Sequence, residues 1–322
     1  MALPTSTFST YGAIGNREDL SDTIYRVDPT DTPFMTMAER EKATAVNHEW
    51  QVQSLASADT ANAVLEGDDA VTDATTATVR LGNICQISDK VARVTGTQEA
   101  VDKAGRDSEM SYQEMLKGME LKRDMESILC GTNQAKNAGS TTVARNTASV
   151  LAWIAANDDF GSGGASPATS GGFSTGAGTR TDGTQRAFSE SQLKTVLSSC
   201  WTNGGKPDMI MVGAFNKQVF STFTGRSTPM EQSSSKKIVA VVDAYESDFG
   251  QLKVVANRFS RTRDCLVLQS DMWAVAYLPG RRMVSIPLAK TGDNERRQMV
   301  SEYALVSRNE KAAGAVFDLT TS

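Results

Sequence analysis

The sequence predicts an α+β fold, and three features of its 322 residues support this prediction. A long amphipathic helix is expected over residues 109–130, two strand-like segments flank a loose stretch near residue 65, and helices alternate with strands after residue 188. With 39% hydrophobic and 22% charged residues, the chain can bury the cores of one or two domains.

The first predicted element is an extended arm. The stretch "SDTIYRVDPTDTPFM", Ser21 to Met35, has a pattern that is neither helical nor core-forming. Pro29 and Pro33 favour extended backbone and oppose a helix through the segment. The apolar side chains of the arm are therefore expected to be available to a neighbouring chain: Ile24, Tyr25, Val27, Phe34 and Met35.

A long β-hairpin is predicted next. The segments "TAVNHEWQVQ" and "ATVRLGNICQIS" have the character of strands, and the stretch from Ser54 to Thr76 between them lacks aromatic side chains. This stretch holds acids and no lysine or arginine: Asp59, Glu66, Asp68, Asp69 and Asp73. Such a hairpin buries too little surface to be stable alone, so we expect it to lie on another surface.

The strongest helical pattern lies in "SEMSYQEMLKGMELKRDMESILCG". Its apolar residues recur at i, i+3, i+4 and i+7, Ser108 can cap its N-terminus, and Gly131 can end it. From Glu109 to Cys130 the helix would be roughly 33 Å long, which is the width of a domain. Its methionines are expected to fill the core.

Helix and strand patterns alternate in the rest of the chain. "SESQLKTVLSSCW" is predicted as a capped helix, "KPDMIMVG" as a buried strand and "AFNKQVFSTFTG" as a helix. "KIVAVVDAYESDFGQLKVVANRF" is predicted as a hairpin turning at Ser247 to Gly250, and "DCLVLQSDMWAVAYL" as further strand. The last stretch, "RRQMVSEYALVSRNEKAAGAVFDL", pairs an alternating strand with a short final one and should return to the layer of the long helix.

Motifs for enzyme chemistry are weak. His48, the single histidine, alternates with polar residues beside Trp50, which is typical of a packing position, and any Ser-His-Asp or Cys-His arrangement would depend on this one ring. The glycine-rich stretch 157–187 contains no lysine, so it favours a flexible surface loop over a phosphate loop. "LEGDDAVTD" matches no calcium loop. We therefore expect no enzyme activity, metal or cofactor.

Charge and cysteine usage limit the partners and the compartment. A net charge of -5 excludes binding of nucleic acid through a strong basic field, so any such contact is expected to be local and weak. The four cysteines include no CxxC pair and are expected to be buried free thiols. No long apolar run or signal-peptide pattern is present, so synthesis in the cytoplasm without a membrane partner is expected.

In this order, the arm, hairpin, long helix, inserted α/β domain and returning strands resemble the major capsid proteins of tailed bacteriophages, which have the Hong Kong 97-type fold. Four stretches also look like parts of one phage major head protein family, in that family's order: "NREDLSDTIYRVDPTDTPFMT", "GGKPDMIMVGAFNKQVFSTFTG", "YESDFGQLKVVANRF" and "AKTGDNERRQMVSEYALVSRNEKAAGAVFDL". Each stretch alone is a weak signal, whereas their collinear occurrence is specific.

The resemblance implies a structural function in the virion capsid, where hexamers and pentamers form an icosahedral or prolate head around double-stranded DNA. The implied partners are further copies of the chain, portal, scaffolding or decoration proteins, and packaged DNA held through weak, non-specific contacts. The implied segments are an N-terminal arm (1–44), an E-loop hairpin (45–88), a peripheral P-domain with the spine helix (89–138 and 283–322), and an axial A-domain (139–282) that includes the glycine-rich loop 157–187.

The E-loop is then expected to touch an adjacent subunit. Its candidate contact residues are Trp50, Glu66, Asp68 and Asp69. The acids at its tip would face basic groups of the neighbour, for which the candidates are Arg281, Arg282, Arg296 and Arg297.

Two other classes of protein stay open at this point. A bacterial nanocompartment shell has the same fold, and particle size and nucleic-acid content would distinguish it from a capsid. An unrelated α+β enzyme or binding protein with a glycine-rich lid would be a small soluble species with a substrate pocket. That second class leaves the arm and the hairpin unexplained.

Overall fold

A computed structural model describes residues 24–70, 72–223 and 244–321 of the protein. Its helices are α1 (Pro33–Met37), α2 (Gly96–Ala100), α3 (Glu109–Glu126), α4 (Glu190–Thr202) and α5 (Ala214–Phe220). Its strands are β1 (Glu39–Lys42), β2 (Asn47–Val52), β3 (Val79–Ile84), β4 (Gln86–Thr95), β5 (Asp158–Asp159), β6 (Thr169–Ser170), β7 (Phe173–Ser174), β8 (Met209–Val212), β9 (Ala244–Ser247), β10 (Gly250–Ala256), β11 (Cys265–Leu268), β12 (Trp273–Tyr277), β13 (Val284–Pro287), β14 (Asn294–Ser307) and β15 (Gly314–Val316).

The long strand β14 organises a five-stranded sheet. It pairs antiparallel with β4 from Asn294↔Thr95 to Tyr303↔Gln86, and also with β12 and β13, while β1 runs parallel to β12. Helix α3 packs against β4 and β14. The alternating strand near the C-terminus therefore returns to the layer of the long helix, as the sequence predicts.

The second sheet has six strands in the order β5-β15-β11-β8-β10-β9, and α4 packs on β15 and β5. A capping box between Ser189 and Gln192 starts α4. The hairpin of β9 and β10 turns between Ser247 and Gly250, which confirms the predicted turn. The upstream part of that predicted hairpin, before residue 244, lies outside the described residues. The helix predicted from Ala214 is α5, which ends at Phe220.

"DCLVLQSDMWAVAYL" is strand, as predicted, and it forms two strands in different sheets, because the 3₁₀ turn Ser270–Met272 redirects the chain between β11 and β12. One predicted strand pairing is wrong. The final strand β15 pairs with β11 and β5 and does not pair with β14. Gly314 permits this, because a Cβ atom there would lie 2.6 Å from the Asn157 carbonyl oxygen. Each sheet thus contains strands from both the predicted P-domain and the predicted A-domain. The boundaries of these segments stay a prediction.

Helix α3 is capped as the sequence predicts. The Ser108 hydroxyl accepts a hydrogen bond from the Ser111 N–H at 3.2 Å, and a π-helical turn follows α3 and ends at Gly131. Leu121 and Met125 are fully buried, whereas Met115 is exposed, so the methionines only partly fill the core. No helix in the described part of the chain is long and apolar enough to cross a membrane.

The hairpin is confirmed. Strands β2 and β3 pair antiparallel from Asn47↔Ile84 to Val52↔Val79. Beyond them, all described residues between 53 and 78 are exposed. We call this segment, residues 53–78, the acidic loop.

Candidate functional site

The end of the predicted arm is built into the chain's own core. Phe34 is fully buried, with its ring 6.2 Å from that of Trp273 in an edge-to-face arrangement, and Met35 is half-buried. The expectation that Phe34 is free for a neighbour, in a segment extended through Pro33, is therefore wrong. Pro33 is the first residue of α1, where a missing N–H is tolerated, and proline opposes a helix only in its interior.

A buried carboxylate holds the start of α1. The N–H groups of Phe34 and Met35 donate to Glu126 at 2.8 and 2.9 Å, and the Asn257 side chain donates to it at 2.7 Å. Burial raises the pKa of Glu126 in spite of these bonds. In the sequence Glu126 is one more polar residue of a helix, so no local pattern could identify this role.

The rest of the described arm lies on the surface. Tyr25 is 85% exposed, Val27 is fully exposed, and Ile24 is partly exposed. These apolar side chains have the exposure that a contact with a neighbour requires. Their role as inter-subunit contacts stays a prediction.

The base of the hairpin packs on its own subunit. The Trp50 ring lies 5.3 Å from the Trp153 ring, and His48 lies 6.1 Å from Trp50. His48 Nε2 is also 3.6 Å from the Glu41 carboxylate. Trp50 therefore packs at the edge of the chain's own core and is half-buried, and His48 occupies a packing position. The contact of Trp50 with a neighbour stays a prediction.

The acidic loop combines exposed charge with exposed apolar groups. Glu66, Asp68 and Asp69 are all exposed. Leu65 is 79% exposed and Val64 is similarly exposed, and no local sequence pattern marks either residue. Isolated exposed apolar residues are common, but here they share one loop with a concentration of acids.

The four candidate arginines do not form one patch. Arg281 lies 3.2 Å from Glu302, and Arg282 lies over the ring of Tyr277 at 5.2 Å. Arg297 lies five residues before Glu302 on β14, which is roughly 17 Å along the strand, and it pairs with other acids. Its partners are Glu114 at 3.2 Å and Glu295 at 3.0 Å, and Arg296 donates to the Ala289 carbonyl at 2.7 Å. The pairing of these arginines with a neighbour's acids stays a prediction.

The expectation that the glycine-rich stretch is a flexible surface loop is wrong, because part of the stretch is buried. Phe173 and Ser174 in β7 are buried, and β7 pairs with β6. Lys311 lies over the Phe173 ring at 4.6 Å. The stretch is held because its few large side chains enter the core, which composition alone does not reveal.

A buried ion network joins the glycine-rich stretch to the C-terminus. The side chains of Arg180 and Asp318 are fully buried and lie 3.1 Å apart. Arg263 also binds Asp318 at 2.7 Å, while Asp182 pairs with Arg180 and Arg261. Three separate chain segments thus meet at alternating charges, and buried charges are tolerated only when they are paired in this way.

Asp264 lies next to this network and lacks hydrogen-bond partners. It is 2% exposed, its carboxylate oxygens have no hydrogen-bond donor among the described residues, and the nearest cation, Arg261 Nε, is 3.6 Å away. Burial raises the pKa of Asp264 to about 6, against the lowering effect of Arg261. Because the folded-state pKa exceeds the usual value of 3.8, ionisation of Asp264 lowers the free energy of unfolding of the protein as the pH rises through about 6.

Asp264→Asn is therefore expected to raise the free energy of unfolding at pH 8 by about 1–3 kcal/mol. It should also flatten the pH dependence of stability between about 4 and 6, which urea unfolding across this pH range would measure. The exposed Asp69→Asn is the control and should change little. If Asp264→Asn is less stable than the wild type at pH 8, the attraction to Arg261 outweighs the cost of burial and the prediction is wrong.

The described residues offer no metal or reactive thiol site. No group of three or more His, Cys, Asp or Glu side chains within them could hold a metal ion. All four cysteines are free and buried, as predicted. Burial raises the pKa of Cys85 to about 11 and that of Cys200 to about 12, so neither thiol is reactive at neutral pH.

Comparison with known proteins gives consistent results. A family model described as SU10 major capsid protein matches residues 4–320. The chain is 28% identical over 347 residues to the major capsid protein of Escherichia phage Phieco32, with 98% of both chains covered.

Solved structures show the same fold at low sequence identity. The chain resembles the capsid asymmetric unit of cyanophage A-1(L), with a TM-score of 0.64, 12% identity, and 95% of this chain and 98% of that chain covered. It also resembles an encapsulin complex from Synechococcus elongatus, with a TM-score of 0.57, 11% identity, and 95% and 94% covered. These likenesses establish a Hong Kong 97-type α+β fold.

Proposed function

Because the chain belongs to the SU10 major capsid protein family, we propose that its copies form hexamers and pentamers, which assemble into a closed phage head around double-stranded DNA. Family membership makes it a major capsid protein of a phage and a component of the virion capsid. The capsomer types, an icosahedral or prolate head shape, and synthesis in the host cytoplasm are parts of the proposal.

The observation that carries the proposal is the family match over nearly the whole chain. The surface of the single subunit supports it. The arm residues Tyr25 and Val27 and the whole described acidic loop are exposed, which is expected of elements that contact other copies in a symmetric assembly.

DNA contacts are proposed to be weak and non-specific. With a net charge of -5, the chain has no overall basic field, so its basic side chains and counterions would together balance the DNA phosphates. Portal, scaffolding and decoration proteins are proposed as further partners. Since the family is a structural one, we propose no enzyme activity and no cofactor.

A nanocompartment shell is the second candidate, because the encapsulin complex has the same fold. That likeness is at 11% identity and supports the fold alone. The family match and the relative in Escherichia phage Phieco32 favour the phage capsid.

The test is negative-stain electron microscopy with light scattering on the full chain, together with a measurement of bound nucleic acid. Closed shells, or rings of six and five subunits, are expected. Small, cargo-filled shells without nucleic acid would favour the nanocompartment. A chain that stays monomeric with and without a scaffolding protein, and whose arm resists protease, would contradict a shell function.

A further inference from the structure

Strand β1 sorts its charged side chains by face. Successive side chains of a strand point to opposite faces, so Glu39 and Glu41 share one face. Both acids bind Arg308 there, at 2.6 Å from Glu39 and through a 3.0 Å hydrogen bond to Glu41. Arg40 and Lys42 share the other face and are exposed. No carboxylate among the described residues lies within ion-pair distance of either cation.

A third cation lies on the face of Arg40 and Lys42. Lys42 is the register partner of Tyr277 in β12, and the Arg282 guanidinium lies over the Tyr277 ring at 5.2 Å. Burial raises the pKa of Tyr277, while the charges of Arg282 and Arg40 partly oppose this rise, so both charges act on its hydroxyl. Arg282 is exposed and has no ion pair within the described part of the chain. We call Arg40, Lys42 and Arg282 the cation patch.

The neighbouring acid of β14 does not neutralise the cation patch. Tyr303 is the register partner of Tyr277, so the side chain of Glu302 points to the opposite face of the sheet. There Glu302 binds Arg281 at 3.2 Å. The consecutive residues Arg281 and Arg282 thus serve opposite faces, and Arg282 keeps its charge unpaired.

The hairpin and the cation patch lie on opposite faces of β1. His48 in β2 is 3.6 Å from Glu41, so the base of the hairpin lies on the face that carries the acids of β1. Helix α3 lies on the other face, because its residue Leu121 shares a core cluster with Tyr277. Lys122 of α3 is exposed and is a further cation without an ion pair in the described residues.

The cation patch has the chemistry that a polyanion requires. Alternate residues of a strand are about 7 Å apart, so Arg40 and Lys42 can each neutralise a different anionic group. The planar guanidinium of Arg282 is suited to phosphate. Since the whole chain has a net charge of -5, DNA meets the least repulsion where cations lack acids.

The acidic loop of a neighbouring copy is a less suitable occupant. All copies in a closed shell have the same orientation relative to its surface, so every hairpin starts from the face opposite the cation patch. The polyanion that the proposed function places on one side of every subunit is the packaged DNA. The position of the patch therefore favours DNA over the acids of a second copy.

We infer that the cation patch binds the phosphate backbone of the packaged double-stranded DNA, and that the sheet face bearing α3 is turned toward the interior of the head. Arg40 and Lys42 neutralise separate phosphates, and Arg282 donates to phosphate from its position over Tyr277. These contacts hold the backbone and read no base sequence. The inference rests on the proposed capsid function and adds DNA-facing residues to it.

The salt dependence of DNA binding tests the cation patch. Fluorescence anisotropy would measure binding of a short double-stranded DNA fragment to the full, unassembled chain at several low salt concentrations. The triple variant Arg40→Gln, Lys42→Gln and Arg282→Gln is expected to bind at least about tenfold more weakly. The slope of log K against log salt should fall in magnitude by about two to three, because three phosphate contacts are lost.

Two further variants control for fold and for net charge. Arg40→Lys, Lys42→Arg and Arg282→Lys keeps every charge and should bind DNA like the wild type. A second triple variant neutralises three exposed cations elsewhere and has the same change in net charge, and it should alter the slope by less than about one. Its substitutions are Lys194→Gln, Lys206→Gln and Lys253→Gln.

Photo-cross-linking in DNA-filled heads tests the orientation of the subunit. Thr44, two residues after Lys42, is exposed, and the four native thiols are buried, so Thr44→Cys can be labelled selectively with a photoreactive maleimide. This label is expected to cross-link to DNA. The same label on Leu65→Cys, in the acidic loop, is the control and should give little cross-linking.

The outcomes separate this inference from the proposed function. Equal losses of binding in the patch variant and the net-charge control, or no DNA cross-link at Thr44→Cys, overturn the assignment and leave the shell function intact. A patch variant that binds DNA normally but no longer assembles would show that the patch contacts a neighbouring copy instead. A wild-type chain that forms no shell under any condition contradicts the capsid function, while the titration of the unassembled chain still decides whether the patch binds DNA.

Discussion

Replacing Asp318 with alanine is expected to lower the free energy of unfolding by about 3–5 kcal/mol, because it removes the fully buried counter-charge of Arg180 and leaves only the partly exposed Asp182. Asp318 accepts hydrogen bonds from Arg180, Arg263 and the Gly161 N–H, and both its own side chain and that of Arg180 are fully buried. Urea unfolding of the unassembled chain at pH 7 would measure the loss.

The pH dependence offers a second measurement on the same variant. Burial raises the pKa of Asp318 and is the largest single cause, but the hydrogen bond and charge of Arg180 together with the N–H groups of Gly161 and Gly183 outweigh it, so the pKa lies below the usual value of 3.8. The stabilisation is therefore present above about pH 4 and is lost as the pH falls through the lowered pKa. The stability difference between wild type and variant should shrink in acid.

Asp28→Ala is the matched control, because Asp28 pairs with Arg26 on the surface at 3.8 Å. It should change stability by less than about 1 kcal/mol. Equal effects of the two substitutions would show that the buried network does not hold the glycine-rich stretch to the C-terminus.

Replacing Phe34 with alanine is expected to destabilise the subunit by about 3–5 kcal/mol, since it removes a fully buried ring that packs on Trp273. The loss should appear in the unassembled chain, because the contact is made within one subunit. Denaturant unfolding below the concentration at which the chain assembles would measure it.

Tyr25→Ala tests the exposed part of the arm, whereas Phe34→Ala tests the buried part. Tyr25 is 85% exposed, so its loss should leave the stability of the isolated subunit nearly unchanged, while the arm proposal expects weaker assembly. If Phe34→Ala alters assembly alone and leaves subunit stability unchanged, the core position of Phe34 is contradicted.

These residues show which structural features local sequence patterns predict. Local sequence patterns predict four features: the hairpin strands, the Ser108 cap, the end of the helical segment at Gly131 and the turn at Ser247. Each of them depends on residues close together in the chain. The acidic tip was also predicted, since its composition is local. The order of these parts and the four similar stretches predicted a major capsid protein of tailed phages, which the comparisons confirm.

The tertiary structure alone decided which residues meet across the chain. Phe34 and Glu126 are 92 residues apart, and Arg180 and Asp318 are 138 residues apart, so no periodic pattern links either pair. Glu302 likewise meets both Arg145 and Arg281 only because separate segments of the chain converge on β14. Local periodicity determines helices, strands and turns, whereas burial and charge pairing depend on contacts that form only when the sheets assemble.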